Sequence, residues 1–254
     1  MCCEYLDNVI SNISFNIENT MSPERFERIQ LMLSQRQPDL TVCMEGVHKP
    51  HNLSAIIRTC DAVGVSEAHV VWADAQSKLS GGTAMGSQNW VQVKPHANIA
   101  DAVATLKSQG MQVLATNLSE TAVDFRSIDY TKPTAVLMGQ EKDGISQEAL
   151  ALADQDIIVP MVGMVQSLNV SVASALIMYE AQRQREIAGM YQGPCRLSVE
   201  EQNRILFEGG HPIYTKACRR KGLAYPQIND EGQIVADEQW WFKVKHEPSA
   251  WPEK

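Results

Sequence analysis

Apolar residues fall along this chain in two alternating kinds of run. Leu40 to Met44, Ala68 to Trp72, Met111 to Thr116, Ala135 to Met138 and Ile157 to Val159 are short, nearly continuous apolar stretches of the length expected for buried strands. Pro160 stops the last of them. Between them lie segments of helical spacing. Ser22 to Gln37 repeats Phe26, Ile29 and Leu33, with Ser22 as cap, Pro23 at the first helical position and Pro38 as the stop. Asn52 is expected to cap a helix carrying Ile56, Ile57, Cys60 and Val63 and closed by Gly64. Ile99 to Gln109 continues the alternation. After a turn at Gln166 to Asn169, Val172, Leu176, Tyr179 and Arg183 recur at helical spacing, and Ser198-Val199-Glu200-Glu201 opens a further helix with a capping box. Strand and helix alternate throughout. The pattern predicts an α/β domain with a mostly parallel sheet flanked by helices, and the usual topology rule alone would make it an unknotted Rossmann-like one.

Composition narrows the class. With 254 residues, 44% of them hydrophobic, the chain can bury a full core in one domain plus helical N- and C-terminal extensions. No apolar run approaches the ~20 residues of a membrane span, and the N-terminus lacks both a basic and an apolar signal region, so a cytoplasmic protein is expected. Its six cysteines show no C-x-x-C spacing and read as reduced thiols, with no metal expected. The net charge of −8 argues against a uniformly basic nucleic-acid-binding surface, but the positive charges cluster. At about 100° per residue, Arg25, Arg28 and Arg36 fall within an arc of roughly 80° beside the apolar face of the first helix. Lys216, Arg219, Arg220 and Lys221 form a second group. Each group reads either as a phosphate-binding patch or as a solvated helix face. Residues 1–20 are expected to be an extension preceding the native start, or a disordered tail.

The glycine-rich segments exclude two nucleotide sites. Gly81 to Gly86 reads G-G-T-A-M-G, which is not G-x-G-x-x-G, so a nucleotide-dependent oxidoreductase lacks its fingerprint. The surrounding stretch, Ala73 to Asn89, is expected to be a flexible loop near the active site. Gly139 and Gly144 are followed by Ile145-Ser146 in place of Lys-Ser/Thr, so they do not form a Walker A phosphate loop. The strand, loop and helix from Asp156 to Arg185 present backbone N–H groups at a helix N-terminus. This is either an ordinary crossover or a site for a carboxylate, phosphate or ribose.

Three phrases carry more. N-L-S-A-I-I-R-T at 52–59, G-Q-E-K-D-G-I at 139–145 and P-M-V-G-M-V-Q-S-L-N-V-S-V-A at 160–173 resemble, in order, the three signatures of the SpoU-type branch of the SPOUT RNA 2'-O-methyltransferases. The resemblance spans nearly everything from Met21 onward. It implies a C-terminal trefoil knot built from the loops after strands Met111 to Thr116, Ala135 to Met138 and Ile157 to Met161, a homodimer, and S-adenosyl-L-methionine as methyl donor. Arg58 would be the catalytic arginine, acting electrostatically because a guanidinium deprotonates poorly. Ser167 and Asn169 would position ribose or phosphate, while Asn52 and Glu141 would hold Arg58 and the loops. Thr116, Gly139, Val159, Met161 and Leu168 would contact the cofactor. The tail phrases F-E-G-G-H-P and K-A-C-R-R-K-G-L-A-Y-P resemble those of bacterial members that methylate guanosine 18 in the D-loop of tRNA. The implied domains are an RNA-binding helix at 21–38, the methyltransferase domain at 39–190 and a helical tRNA-binding extension at 191–254. Siblings acting on ribosomal RNA or a tRNA wobble nucleotide, and a non-catalytic RNA-binding module, are the alternatives.

Overall fold

The computed structural model describes residues 21–72, 90–140 and 143–251; residues 1–20, 73–89, 141–142 and 252–254, among them the expected loop and Glu141, lie outside them. The elements, in chain order, are α1 (Pro23–Ser34), β1 (Leu40–Glu45), α2 (Pro50–Ala62), β2 (Glu67–Val71), β3 (Gln92–His96), α3 (Ile99–Ser108), β4 (Gln112–Thr116), β5 (Val123–Asp124), β6 (Thr134–Met138), α4 (Gln147–Leu152), β7 (Gln155–Ile158), α5 (Val170–Ile187), α6 (Val199–Gly210), α7 (Pro212–Lys221), β8 (Gln227–Ile228), β9 (Ile234–Val235) and α8 (Glu238–Lys245). They form two compact units. One is Ser34–Arg196; the other joins the chain up to Leu33 with everything from Leu197.

In the Ser34–Arg196 unit, seven strands pair in the order β3-β2-β1-β6-β4-β7-β5, all parallel. Successive strand residues face opposite sides. Val42, Met44, Val70, Leu114, Val136, Met138 and Ile157 pack with Ile56, Ile57 and Cys60 of α2 and with Ile177, Met178 and Ala181 of α5. On the other face Cys43, Val113, Ala115, Ala135 and Leu137 meet Ile99, Ala102, Val103 and Leu106 of α3 and Ala149 of α4. A sheet covered on both faces is why its central strands read as unbroken apolar runs. The edge strands β3 and β5 carry no such run, β3 even holding Pro95, and the periodicity did not predict them.

Three expectations are corrected here. Helix α1 ends at Ser34, so Arg36 is not on its stripe: it is fully buried, donating to the carbonyl of Val65 at 2.9 Å and pairing with Asp61 at 2.7 Å. The N-cap of α2 is Lys49, because Pro50, with its fixed φ and no N–H to satisfy, takes the first helical position; Asn52 is buried a turn further in. In α5 the buried face is Ser174, Ile177, Met178, Ala181 and Arg185, while Val172, Leu176 and Tyr179 remain 47%, 43% and 52% exposed.

The end of α5 is held electrostatically. Arg185, fully buried, donates from Nε to the Tyr130 carbonyl, from Nη1 to Gln37 and Asp39 Oδ1 (2.6 Å), and from Nη2 to the carbonyls of Asp39 and Lys132. Arg196 adds a second pair to Asp39 at 2.7 Å. Burial pushes the Asp39 carboxyl up, but the hydrogen bonds and charges of Arg196 and Arg185 outweigh it and hold the pKa below the usual value.

In the other unit, Phe26, Ile29 and Leu33 are the buried face of α1. Arg25 donates through Nε and Nη2 to the Gly209 carbonyl at 2.8 and 2.6 Å, and the Met21 side chain packs closely over Gly210. Ser198 and Glu201 form the expected capping box of α6. Phe207 stacks on Tyr225 at 4.6 Å and meets Trp240 edge-on, giving this small unit an aromatic core. Among the described residues, no helix is long and apolar enough to cross a membrane.

Candidate active site

Parallel sheets gather their loops at the carboxyl ends of the strands, and ligands bind there. In the Ser34–Arg196 unit a cavity of about 310 Å³ opens at that edge. Thr116, Asn117 and Leu118 line it after β4; Met138, Gly139, Gln140 and Gly144 after β6; Ile157, Ile158, Val159 and Met161 along and after β7. Gln166, Ser167 and Leu168, with Val170, Ala173 and Ile177 of α5, close it. Thus Thr116, Gly139, Val159, Met161 and Leu168, named from separate stretches of the sequence, share one cavity.

The turn after β6 is tightly constructed. Gln140 N–H donates to Gly144 O at 2.9 Å and Gly144 N–H donates back to Gln140 O at 3.0 Å. A Cβ on Gly139 would lie 2.2 Å from the Gly144 carbonyl carbon, so only glycine allows the two ends of the turn to touch. Glu45, at the end of β1, holds the exit of the turn by accepting from Ser146 N–H at 2.9 Å and Ser146 Oγ at 2.7 Å. Ser146 Oγ in turn caps α4 by accepting from Ala149 N–H.

The first and third signatures also meet. Asn169 caps α5 by accepting from Ser171 N–H at 2.8 Å, and its Nδ2 donates to Asn52 Oδ1 of α2 at 3.2 Å. That bond ties together the two helices that cover one face of the sheet. Arg58 lies six residues beyond Asn52, about 9 Å along the axis of α2, and is exposed; it is not among the cavity-lining residues. Cys43 and Cys60 are pushed up to about 12 by burial and the neighbouring acids, so neither is a thiolate nucleophile at neutral pH.

The basic residues expected at RNA have separate fates. Arg25 is committed to Gly209, as described above. Lys221 is corrected outright: its ammonium donates to the carbonyls of Lys243, Val244 and His246 at 3.2, 2.7 and 2.8 Å, satisfying the C-terminus of α8. Arg219 pairs with Glu208 at 2.9 Å and Arg220 with Glu247 at 2.7 Å, both remaining exposed, and Arg28 and Lys216 are exposed as well. Asn117, Leu118, Gln140 and Gln166 were missed. The signal for the first two was present, since they directly follow a buried parallel strand.

The walls suit a nucleoside. Among the described residues none of the lining side chains is charged, and apolar groups such as Leu118, Met138, Val159, Leu168 and Ile177 alternate with Thr116, Asn117, Gln140 and Ser167. Such a cavity accepts a heteroaromatic ring with a few hydrogen-bonding groups and offers nothing to neutralise a polyphosphate. Its volume is at the lower end of the ~300–1,000 Å³ typical of small-molecule sites. The adenosyl portion of S-adenosyl-L-methionine fits these properties.

Comparison with known proteins places this geometry. A model of the SpoU rRNA methylase family matches residues 39–179, and a model of the SpoU rRNA methylase C-terminal region matches 183–237. The chain is 66% identical over 226 residues, 89% of its length and 99% of the relative's, to the tRNA (guanosine(18)-2'-O)-methyltransferase of Escherichia coli K12. It superposes on the crystal structure of the Aquifex aeolicus TrmH/SpoU tRNA modifying enzyme with a TM-score of 0.68 at 44% identity, covering 74% of this chain and 96% of the other. The AdoMet-bound rRNA methyltransferase of Sinorhizobium meliloti aligns over 59% of each chain, with a TM-score of 0.52 and 34% identity.

Proposed function

The chain belongs to the SpoU methylase family, and from that premise we propose that it transfers a methyl group from S-adenosyl-L-methionine to the ribose 2'-oxygen of guanosine 18 in the D-loop of tRNA. The observation that carries this reading is the 66% identity to a guanosine-18 enzyme across 99% of that relative, which includes the C-terminal segment as well as the catalytic domain. Ribosomal RNA enzymes of the family match a smaller share of the chain, such as the 59% spanned by the Sinorhizobium meliloti protein.

The cofactor is held in the cavity by Thr116, Gly139, Val159, Met161 and Leu168, whose loops surround its walls. Bound there, S-adenosyl-L-methionine supplies an electrophilic methyl group carried on a sulfonium. The protein's own residues have two tasks. They must hold the hydroxyl in line with that methyl, so that S-adenosyl-L-homocysteine leaves as the O–C bond forms, and stabilise negative charge as the 2'-OH proton passes to solvent. Arg58 performs the second as a fixed cation, since a guanidinium with a pKa above ~12 is a poor proton acceptor. Ser167, at the cavity wall, orients the ribose. Asn169 and Asn52, hydrogen-bonded to each other, keep the first and third signatures in register, and Glu141 completes the second.

Three further parts belong to this reading. The loops after β6 and β7 both border the cavity beside β4, which supports a trefoil-knotted path through residues 134–169. Val162, Met164 and Val165 are 106%, 99% and 61% exposed, and α5 leaves Val172, Leu176 and Tyr179 uncovered, which supports a homodimer with its interface beside the cavity. The unit formed by α1 and the chain from Leu197 binds tRNA phosphates through Arg28, Lys216, Arg219 and Arg220. The test is incorporation of labelled methyl from S-adenosyl-L-methionine into an unmodified tRNA transcript, mapped by nuclease digestion and mass spectrometry. The expected product is 2'-O-methylguanosine at position 18; label at another position, or none in any RNA, overturns the reading.

A further inference from the structure

One wall of the cavity is not held by any of the three signature phrases. Thr116, Asn117 and Leu118 form it, and the chain leaves β4 at this point into a loop whose Leu118 is 70% exposed. Thr116 is paired with Ile157 in the β4–β7 ladder and its Oγ1 donates to the Leu137 carbonyl at 3.0 Å, and Asn117 N–H donates to Ile157 O at 3.1 Å. Beyond Thr116, the side-chain bonds of the loop converge on one carboxylate. Asp156 Oδ2 accepts from Asn117 Nδ2 at 2.9 Å and from Ser119 Oγ at 2.7 Å, bracketing Leu118 between two hydrogen bonds to a single oxygen. Ser119 is also in contact with Thr121 Oγ1 at 3.2 Å, and its carbonyl accepts from Ala122 N–H at 3.3 Å, so the grip extends through the next turn.

We propose that Asp156 is a positioning residue for the cofactor site, holding the Asn117–Ser119 loop so that Leu118 forms a fixed wall of the cavity. The inference rests on the methyltransferase reading above. Asp156 itself is not among the lining residues, and its neighbours Ile157 and Ile158 are, so it acts through the loop and not on the ligand. An exposed apolar side chain on a loop between two strands has no packing of its own to fix it. Bonds to an ionised acceptor are stronger than neutral ones and supply the missing constraint. The same loop is remote in sequence from the segment that holds it, Asn117 and Asp156 being 39 positions apart.

The test compares the full-length protein with Asp156→Ala, Asp156→Asn, Ser119→Ala and the pair Asn117→Ala/Ser119→Ala, measuring S-adenosyl-L-methionine affinity by calorimetry, KM for each substrate, kcat and thermal midpoint. Asp156→Ala is expected to bind the cofactor about tenfold more weakly, with kcat at saturating cofactor and KM for tRNA close to those of the parent. Asp156→Asn keeps an acceptor oxygen and restores most of the affinity. The donor-side pair reproduces the loss without touching Asp156; because Asn117 itself lines the cavity, Ser119→Ala alone, which removes no lining residue, decides the matter if Asp156→Ala fails to fold. Parental cofactor affinity in folded Asp156→Ala, in the folded pair or in folded Ser119→Ala overturns the proposal. A parent protein that binds no S-adenosyl-L-methionine overturns the underlying functional reading instead.

Discussion

Arg58 and Asp39 are both charged residues of the Ser34–Arg196 unit, and their surroundings give them opposite kinds of role. Arg58 is exposed on α2, and the proposed reading gives its charge to the substrate. Arg58→Ala is expected to lower kcat by about 10²–10³-fold, the loss seen when a donor to a developing oxyanion is removed, while calorimetric affinity for S-adenosyl-L-methionine stays near that of the parent. Lost cofactor binding with normal single-turnover chemistry would reverse that role. Asp39 instead neutralises the fully buried Arg185 and the half-exposed Arg196. Asp39→Ala leaves Arg185 buried without its counter-charge and is expected to destabilise the fold by about 3–5 kcal/mol in urea titration. The pH dependence has a definite sign. Because the folded-state pKa of Asp39 is depressed, its contribution is present above the unfolded carboxylate pKa of about 3.9 and disappears as the pH falls through the lower folded value. Urea midpoints measured from pH 6 down to pH 3 should therefore fall more steeply in the parent than in Asp39→Ala.

At the scale of elements, the site depends on how strand ends are joined. After β6, Gln140 and Gly144 exchange two backbone hydrogen bonds, and Glu45 from a third element holds Ser146 at the entry to α4. Gly139→Ala puts a methyl group 2.2 Å from the Gly144 carbonyl carbon, and backbone cannot yield as a flexible side chain would. The turn must open. The expected result is a folded protein whose cofactor affinity falls by at least about tenfold, read by calorimetry alongside a circular-dichroism melt. Unchanged affinity would mean that the turn does not border the bound cofactor. Helix α5 shows a related division of labour: its buried face fixes it to the sheet, its capping Asn169 reaches α2, and Val172, Leu176 and Tyr179 remain exposed.

For the molecule as a whole, that remaining face is the basis of the proposed dimer. A monomer would expose Val162, Met164, Val165, Val172, Leu176 and Tyr179 to water, and apolar patches of this kind mark interaction surfaces. Leu176→Asp is expected to convert a dimer of the parent into a monomer in sedimentation equilibrium and to lower methyl transfer with it. A parent that sediments as a monomer would remove the dimer from the reading. Charge works at the same scale. The net charge of −8 means that tRNA must be attracted by local clusters, so binding should weaken steeply with salt. Lys216→Ala is expected to raise KM for tRNA at physiological salt and reduce the salt slope by about one, with KM for the cofactor unchanged.

What the sequence by itself determined was the layered α/β order, the main buried strands and the family, because a sheet covered on both faces writes continuous apolar runs and because the three signature phrases keep their wording. It also named Thr116, Gly139, Val159, Met161 and Leu168, which do share a cavity. What only the tertiary structure decided was which polar groups are already used. Helical spacing put Arg36 on an exposed stripe, yet α1 stops two residues earlier and the guanidinium turns inward to Asp61. Local sequence put Lys221 in a basic patch, yet three carbonyls at the end of α8 take its ammonium. The stripe of Val172, Leu176 and Tyr179 is helical in period but faces outward. Periodicity records that a helix has an apolar face; which face meets the sheet, and which charge meets a partner, depends on contacts between residues tens of positions apart. Asp156 and the loop it holds are one such pair.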